Sequence, residues 1–117
     1  MNNNILKNSF ALKHKLSVII PGTVDVDKAA DTSAYVDKAA LLLSSLAGGA
    51  TSTPAVGYWR SPALGLVREN NTIVFAYVAE SILESVLDKL LTFAVEMRDA
   101  LKQEAIAVEL DGAMYFI

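Results

Sequence analysis

The sequence contains no cysteine, a single histidine (His14), a single tryptophan (Trp59) and only three prolines in 117 residues. Without cysteine there are no disulfides, no thiolate-based zinc sites and no thiol nucleophile. From a lone histidine no Ser/His/Asp arrangement can be argued. His14, flanked by Lys13 and Lys15 at the start of an apolar stretch, reads as a solvated residue. Basic residues are few and scattered: ten Lys and Arg stand against thirteen Asp and Glu, for a net charge of −3. No strip exists to neutralise a phosphate backbone, so a nucleic-acid polymer is not an expected partner. No apolar run approaches the roughly 20 residues that span a bilayer. The start, Met1-Asn2-Asn3-Asn4, lacks the basic and apolar parts of a signal peptide. The expectation is a soluble, cytoplasmic protein without a membrane partner.

Apolar residues, by contrast, are plentiful: 53% of the chain is hydrophobic and only 20% is charged. A domain of this size can bury a true core but has trouble covering so much apolar surface. Some of it is expected to be covered by another copy, giving a homo-oligomer, with a dimer joined through sheet or edge as the leading form.

Periodicity sets the order of elements. Residues 1–9 read as a flexible polar lead, and residues 10–117 as one domain. Leu16, Val18 and Ile20 alternate as a strand that Pro21-Gly22 ends, and Thr23 to Asp27 is either an edge strand or a loop. Asp31-Thr32-Ser33 offers caps for a first helix, which Gly48-Gly49 stops. The pentapeptide Val-Asp-Lys-Ala-Ala occurs at 26–30 and again at 36–40, a period too short for a repeat unit. Thr51 to Pro54 reads as a loop. Val56 to Arg60 and Leu66 to Glu69 read as short strands around a turn at Ser61–Gly65. Asn70-Asn71 reads as an interruption, and Thr72 to Val78 as a strand covered on both faces. The strongest local signal is a helix from Ser81 to Lys102, with Ser81 and Glu84 as a capping box and Leu83, Val86, Leu87, Leu90, Ala94, Met97 and Leu101 as its apolar stripe. Ala105 to Leu110, the turn Asp111-Gly112 and Ala113 to Ile117 form a final hairpin. The order β-α-β-β-α-β-β predicts an α+β, two-layer sandwich of ferredoxin-like type with an extra C-terminal strand.

No metal and no cofactor are implied. Asp25, Asp27, Asp31 and Asp37 lie close in sequence but lack the glycine and terminal glutamate of a calcium loop. Gly48 to Thr53 joins small residues to the hydroxyls of Thr51, Ser52 and Thr53, a composition able to cradle an anion. A helix C-cap leading into a loop explains Gly48-Gly49 without any ligand and is the favoured reading. The hairpin is richer. Folded about Ser61–Gly65, it pairs Gly57 with Glu69, Tyr58 with Arg68 and Arg60 with Leu66. Trp59 and Glu69 then share one face, while Tyr58, Arg60 and Arg68 share the other. Aromatic and guanidinium groups together suit an anionic or nucleotide-like ligand. The plainer alternative packs Trp59 under a helix and leaves the arginines in solvent or paired with carboxylates. Gln103-Glu104 ends the second helix, where the macrodipole disfavours a glutamate. A pairing of Glu104 with Arg60 or Arg68 would compensate it and gather Glu69, Glu104 and an arginine into a buried polar cluster.

The pattern Gly57-x-Trp59, Gly65-x-x-x-Glu69 and Gln103-Glu104-Ala105-Ile106, preceded by Thr51-Ser52-Thr53, resembles a family of small bacterial and phage-borne proteins of unknown function. The resemblance spans about residues 46–117. It implies that Trp59, Glu69, Gln103 and Glu104 belong to one shared feature, and it carries no activity. The expected function is a non-catalytic protein of phage or mobile-element origin that holds an anionic or nucleotide-like molecule in a homo-oligomer, with sequestration of a signalling nucleotide as one form of this. Thr51, Ser52, Thr53, Tyr58, Trp59, Arg60, Arg68, Glu69, Gln103 and Glu104 are its expected contacts. The alternatives are a small enzyme using Glu69 or Glu104 as acid or base, and a structural protein-interaction domain.

Overall fold

The structure is a computed structural model that describes residues 2–117; Met1, the first residue of the lead, lies outside the described residues. Within the lead, Asn4–Lys7 forms one helical turn (α1), capped where the Asn3 side chain accepts a hydrogen bond from the Leu6 N–H. None of its residues is buried.

The domain follows as β1 (His14–Pro21), a two-stranded ribbon of β2 (Thr23–Val24) and β3 (Lys28–Ala29), α2 (Ser33–Ala47), β4 (Thr51–Ser61), β5 (Gly65–Val78), α3 (Leu83–Ala100), β6 (Ala107–Leu110) and β7 (Ala113–Phe116). The main sheet runs β4-β5-β1-β6-β7, with every neighbouring pair antiparallel. This is the ferredoxin-like α+β sandwich with an added C-terminal strand. Leu16, Val18 and Ile20 of β1, Val74, Ala76 and Val78 of β5 and Val108 of β6 are buried against Ala39 and Leu43 of α2 and Val86, Leu90, Ala94 and Met97 of α3. Each large apolar side chain removed from water there contributes about 1.5–3 kcal/mol. The helices occupy one face only, so the other face of the sheet is open.

Several expectations are corrected. Thr51 to Pro54 is the start of β4 rather than a loop. Pro54 is tolerated because β4 is the outermost strand, where a missing N–H need not break the ladder. Asn70-Asn71 does not interrupt β5, which runs unbroken for 14 residues. The stretch Thr72 to Val78 is covered on one face only: Val74, Ala76 and Val78 are buried, whereas Tyr77 is 50% exposed. The capping box does not form. Glu80–Ile82 is a 3-10 turn that places Ser81 before the α-helical start, and no side chain caps α3. The helix also ends earlier than Lys102. Lys102 takes a left-handed φ of 52°, with Lys102 N–H donating to the Asp99 carbonyl and Gln103 N–H to the Arg98 carbonyl. This closing pattern normally uses glycine. The repeated pentapeptide is helical at 36–40 and runs from the β2–β3 turn through β3 at 26–30, so tertiary context alone separates the two copies.

The β4–β5 hairpin is longer than the sheet that supports it. Beta1 reaches only to the pair Pro21–Asn71, while the hairpin continues to Ser61–Gly65. Its far half is a projecting two-stranded arm that leaves Val56, Tyr58, Leu64 and Leu66 exposed. The radius of gyration, 16.0 Å, exceeds the about 13 Å of a compact domain this size.

His14 is not solvated as its flanking lysines suggested. Its Nδ1 lies 2.6 Å from Asp111 Oδ2, and its Nε2 bonds to Glu80. Asp111 sits in the β6–β7 turn, where it and Gly112 both have positive φ, and its other oxygen accepts from the Lys15 N–H at 2.7 Å. The histidine thus ties the final hairpin and the approach to α3 to the start of β1. Hydrogen bonds to Asp111 first and Glu80 second raise its pKa above 6.5, and the bond from His14 lowers that of Asp111 below 3.8. An imidazolium can donate to both carboxylates, whereas neutral imidazole donates to one. This clamp therefore stabilises the fold fully below pH 6.5 on the histidine side and fades as pH rises through the raised value. On the aspartate side it is present above 3.8 and fades as pH falls through the lowered value. Thermal melts of wild type and His14→Ala across this range are expected to differ most in mildly acidic buffer and to converge in alkaline buffer. Parallel curves would show that the clamp carries no proton-linked stability.

Candidate active site

On the open face, β4, β5, the end of β1 and the segment after α3 enclose a cleft of about 340 Å³ lined by Ile19, Pro21, Gly57, Tyr58, Trp59, Glu69, Asn71, Gln103, Ala105, Ile106, Ala107 and Phe116. The hairpin register is the one expected: Gly57 opposite Glu69, Tyr58 opposite Arg68, Arg60 opposite Leu66. Paired residues share a face, and side chains alternate along a strand. Trp59 and Glu69 therefore lie with Phe75 and Ile73 on the face away from the helices. This corrects the alternative in which Trp59 packs under a helix; the indole is 40% exposed. Tyr58 borders the cleft although its register position belongs to the opposite face.

Gln103 reaches the cleft because the left-handed residue Lys102 turns the chain sharply after α3. Its side-chain amide donates to the Thr23 carbonyl at 3.1 Å and to Thr23 Oγ1 at 3.3 Å, which secures the crossing segment against β2. Glu104 is exposed and lines none of the described clefts, and neither Arg60 nor Arg68 forms an ion pair among the described residues. The expected cluster of Glu69, Glu104 and an arginine is thus not formed within the chain. The guanidinium groups lie on the opposite face of the hairpin from Glu69, and Glu104 follows the turn rather than the helix end.

Thr51, Ser52 and Thr53 are also separated from this cleft. Thr51 pairs with Phe75, six residues along β5 from Glu69, a distance of about 20 Å at the rise of an extended strand. Thr51 instead lines a second, larger hollow of about 610 Å³ with Gly48, Gly49, Ala50, Phe75 and Tyr77, bordered by Phe10 and Leu12 from the segment before β1. Gly48, in the left-handed conformation, closes α2 by donating its N–H to the Ser44 carbonyl. The ten expected contact residues are therefore not one site. Tyr58, Trp59, Glu69 and Gln103 are brought together; the threonine segment, the two arginines and Glu104 are not.

The residue that sequence reasoning missed is Asn71. Read as half of a strand breaker, it is a cleft-lining strand residue. Its amide nitrogen donates to Glu69 Oε1 at 3.4 Å, and its oxygen accepts from the Gly22 N–H at 3.4 Å. The signal was available: positions 69 and 71 share a face at the strand period of two. Among the described residues no group of three or more His, Asp or Glu side chains is placed to hold a metal ion. No helix among them is long and apolar enough to cross a membrane.

No protein-family model matches the chain, and no curated protein matches it either. Solved structures do. A phage SAM lyase in complex with S-methyl-5'-thioadenosine superposes with a TM-score of 0.67 at 20% identity, over 92% of this chain and 91% of that one. A phage SAM lyase in its apo state gives 0.63 at 16% identity, over 89% and 87%. This chain has their fold. Those proteins are enzymes, and that finding overturns the expectation of a non-catalytic protein that merely holds its ligand.

Proposed function

We propose that this chain is a phage-derived enzyme that cleaves S-adenosylmethionine (SAM), releasing S-methyl-5'-thioadenosine, and that the open-face cleft is its active site. The observation that carries the reading is the pairing of a half-buried carboxylate, Glu69, with an accessible indole, Trp59, in one cleft of otherwise mostly apolar walls. The fold shared with SAM lyases over nine-tenths of the chain supports the reaction class.

The chemistry suits such a cleft. Releasing the thioether breaks the bond between sulfur and the γ-carbon of the methionine part, and the electron pair goes to sulfur, which becomes neutral. Cleavage without water can draw its electron pair from the substrate's own carboxylate, which attacks that carbon and closes a five-membered lactone. Atoms balance with no proton transferred. A positive sulfonium and a negative carboxylate neutralise each other along this path, so a dry, apolar pocket favours the transition state over the charged ground state. Ile19, Pro21 and Phe116 give the cleft apolar walls. Glu69 is suited to pair with the substrate's ammonium group rather than its sulfonium, leaving the carboxylate free to reach the γ-carbon in line. Trp59 offers a stacking face for the adenine.

We further read the protein as a cytoplasmic homo-oligomer. The projecting arm and the exposed Ile5, Leu6 and Phe10 ahead of β1 are apolar surface that a second copy would cover. Incubating the purified protein with SAM and separating the products by chromatography tests the activity. Methylthioadenosine together with homoserine lactone is expected at a rate well above spontaneous breakdown. SAM consumed no faster than in buffer would end the proposal.

A further inference from the structure

Asn71 and Gly57 both lie against Glu69 in the cleft. Asn71 uses both ends of its amide. The oxygen accepts from the N–H of Gly22, at the corner where the chain leaves β1, and the nitrogen donates to Glu69 Oε1; both contacts are long, at 3.4 Å. Glu69 accepts no other hydrogen bond among the described residues, so its second oxygen stays unpaired within the chain. Directly across the ladder stands Gly57. A Cβ at that position would lie 2.7 Å from Asn71 Nδ2 and 3.5 Å from Glu69 Cγ. A side chain there would push the amide off its donor position. Glycine weakens a strand, and the space it leaves is the space the Asn71 amide occupies.

We propose that Asn71 is a positioning residue that holds the Glu69 carboxylate with one oxygen presented to the ammonium group of a cationic amino-acid substrate, and that Gly57 is required to leave the amide its place. The role rests on the reading of this cleft as the reacting site. Only an amide serves. Aspartate in its place would face Glu69 with a second negative charge and would lack a donor, although its shape is the same. Threonine or alanine would lose the link to the Gly22 corner.

The test separates this role from the activity itself. The Glu69 side-chain carboxyl carbon is observed by NMR at neutral pH in wild type and in Asn71→Asp. The substitution is expected to shift this resonance, because it replaces the amide donor on Oε1 with a repelling carboxylate. Turnover of SAM is expected to fall by about tenfold or more in Asn71→Asp and again in Gly57→Ala, with the loss in kcat larger than the change in KM if orientation is what is lost. An unmoved Glu69 resonance in a folded Asn71→Asp protein overturns the proposal whatever the activity. Unchanged kcat in both variants beside an active wild type overturns it as well. A shifted resonance in a protein that shows no turnover of SAM in any form supports the positioning contact and removes the lyase reading instead.

Discussion

Replacing Glu69 by glutamine is expected to lower kcat/KM for SAM cleavage by about 100-fold, the scale at which misplacing a reacting group or removing one preorganised charge acts. Glutamine keeps the shape and one oxygen but cannot neutralise an ammonium. Substrate would still meet Trp59 and the apolar walls, yet its carboxylate would be free to swing away from the γ-carbon. Stability should hardly change, because Glu69 is only half-buried and has no cation partner among the described residues to leave behind. Steady-state kinetics and a thermal melt on the same preparation read both quantities. Glu104→Gln is the control. Glu104 lies outside the cleft, so its variant should keep wild-type turnover. A 100-fold loss there, or full activity in Glu69→Gln, would place the reaction elsewhere on the molecule.

The second large effect is structural. Gly22→Ala would place a Cβ 1.9 Å from the carbonyl oxygen and 3.1 Å from the carbonyl carbon of Asn70. The obstacle is backbone in the continuous strand β5, so no rotamer change relieves it. The strands must part where β1 ends. The Gly22 carbonyl also accepts the Ala30 N–H at 3.0 Å, so the small β2–β3 ribbon loses its anchor when the corner moves. Forcing a methyl into a packed site costs about 1–3 kcal/mol and sometimes more. Here the upper part of that range is expected, a melting temperature lower by roughly 10 °C for a domain near 100 residues. Gly49→Ala meets nothing within 4 Å and should stay within about 0.5 kcal/mol of wild type. Equal melting temperatures for the two variants would mean that the approach of Gly22 to Asn70 does not constrain the fold. Because the Gly22 N–H also holds Asn71, Gly22→Ala should lose activity beyond what its stability loss explains.

What could be read from the sequence was whatever depends on neighbours within a few residues. Alternation at Leu16, Val18 and Ile20 marked β1. The stripe from Val86 to Met97 marked α3, and Asp111-Gly112 marked the last hairpin. With these the element order followed, and with it the sandwich. The hairpin register followed too, since a turn at Ser61–Gly65 determines every pair beyond it. That register alone put Trp59 and Glu69 on one face.

Decisions made by contacts distant in the chain were not legible. Asn70-Asn71 looks like a turn because asparagine favours turns when nothing opposes it. Both residues pair with β4, and Asn71 also faces Pro21 of β1, so the ladder holds them extended and outweighs a weak local preference. Gly48 announced the end of α2, but α3 ends on a lysine in the left-handed conformation. Nothing in the local sequence signals that departure, which turns Gln103 toward Thr23 and leaves Glu104 in solvent. The site divides along the same line. Local spacing suggested that ten residues met, whereas the extended β4 holds Thr51 about 20 Å from the pair Gly57–Glu69. By itself the sequence determined the elements, their order and the face each hairpin residue takes, because those obey periods of two and 3.6 residues. Only the tertiary structure decided which of those faces is open, that Asn71 and Gly22 complete the surroundings of Glu69, and that His14 is clamped between Asp111 and Glu80. Each of these joins residues far apart in the chain, and no local period encodes them.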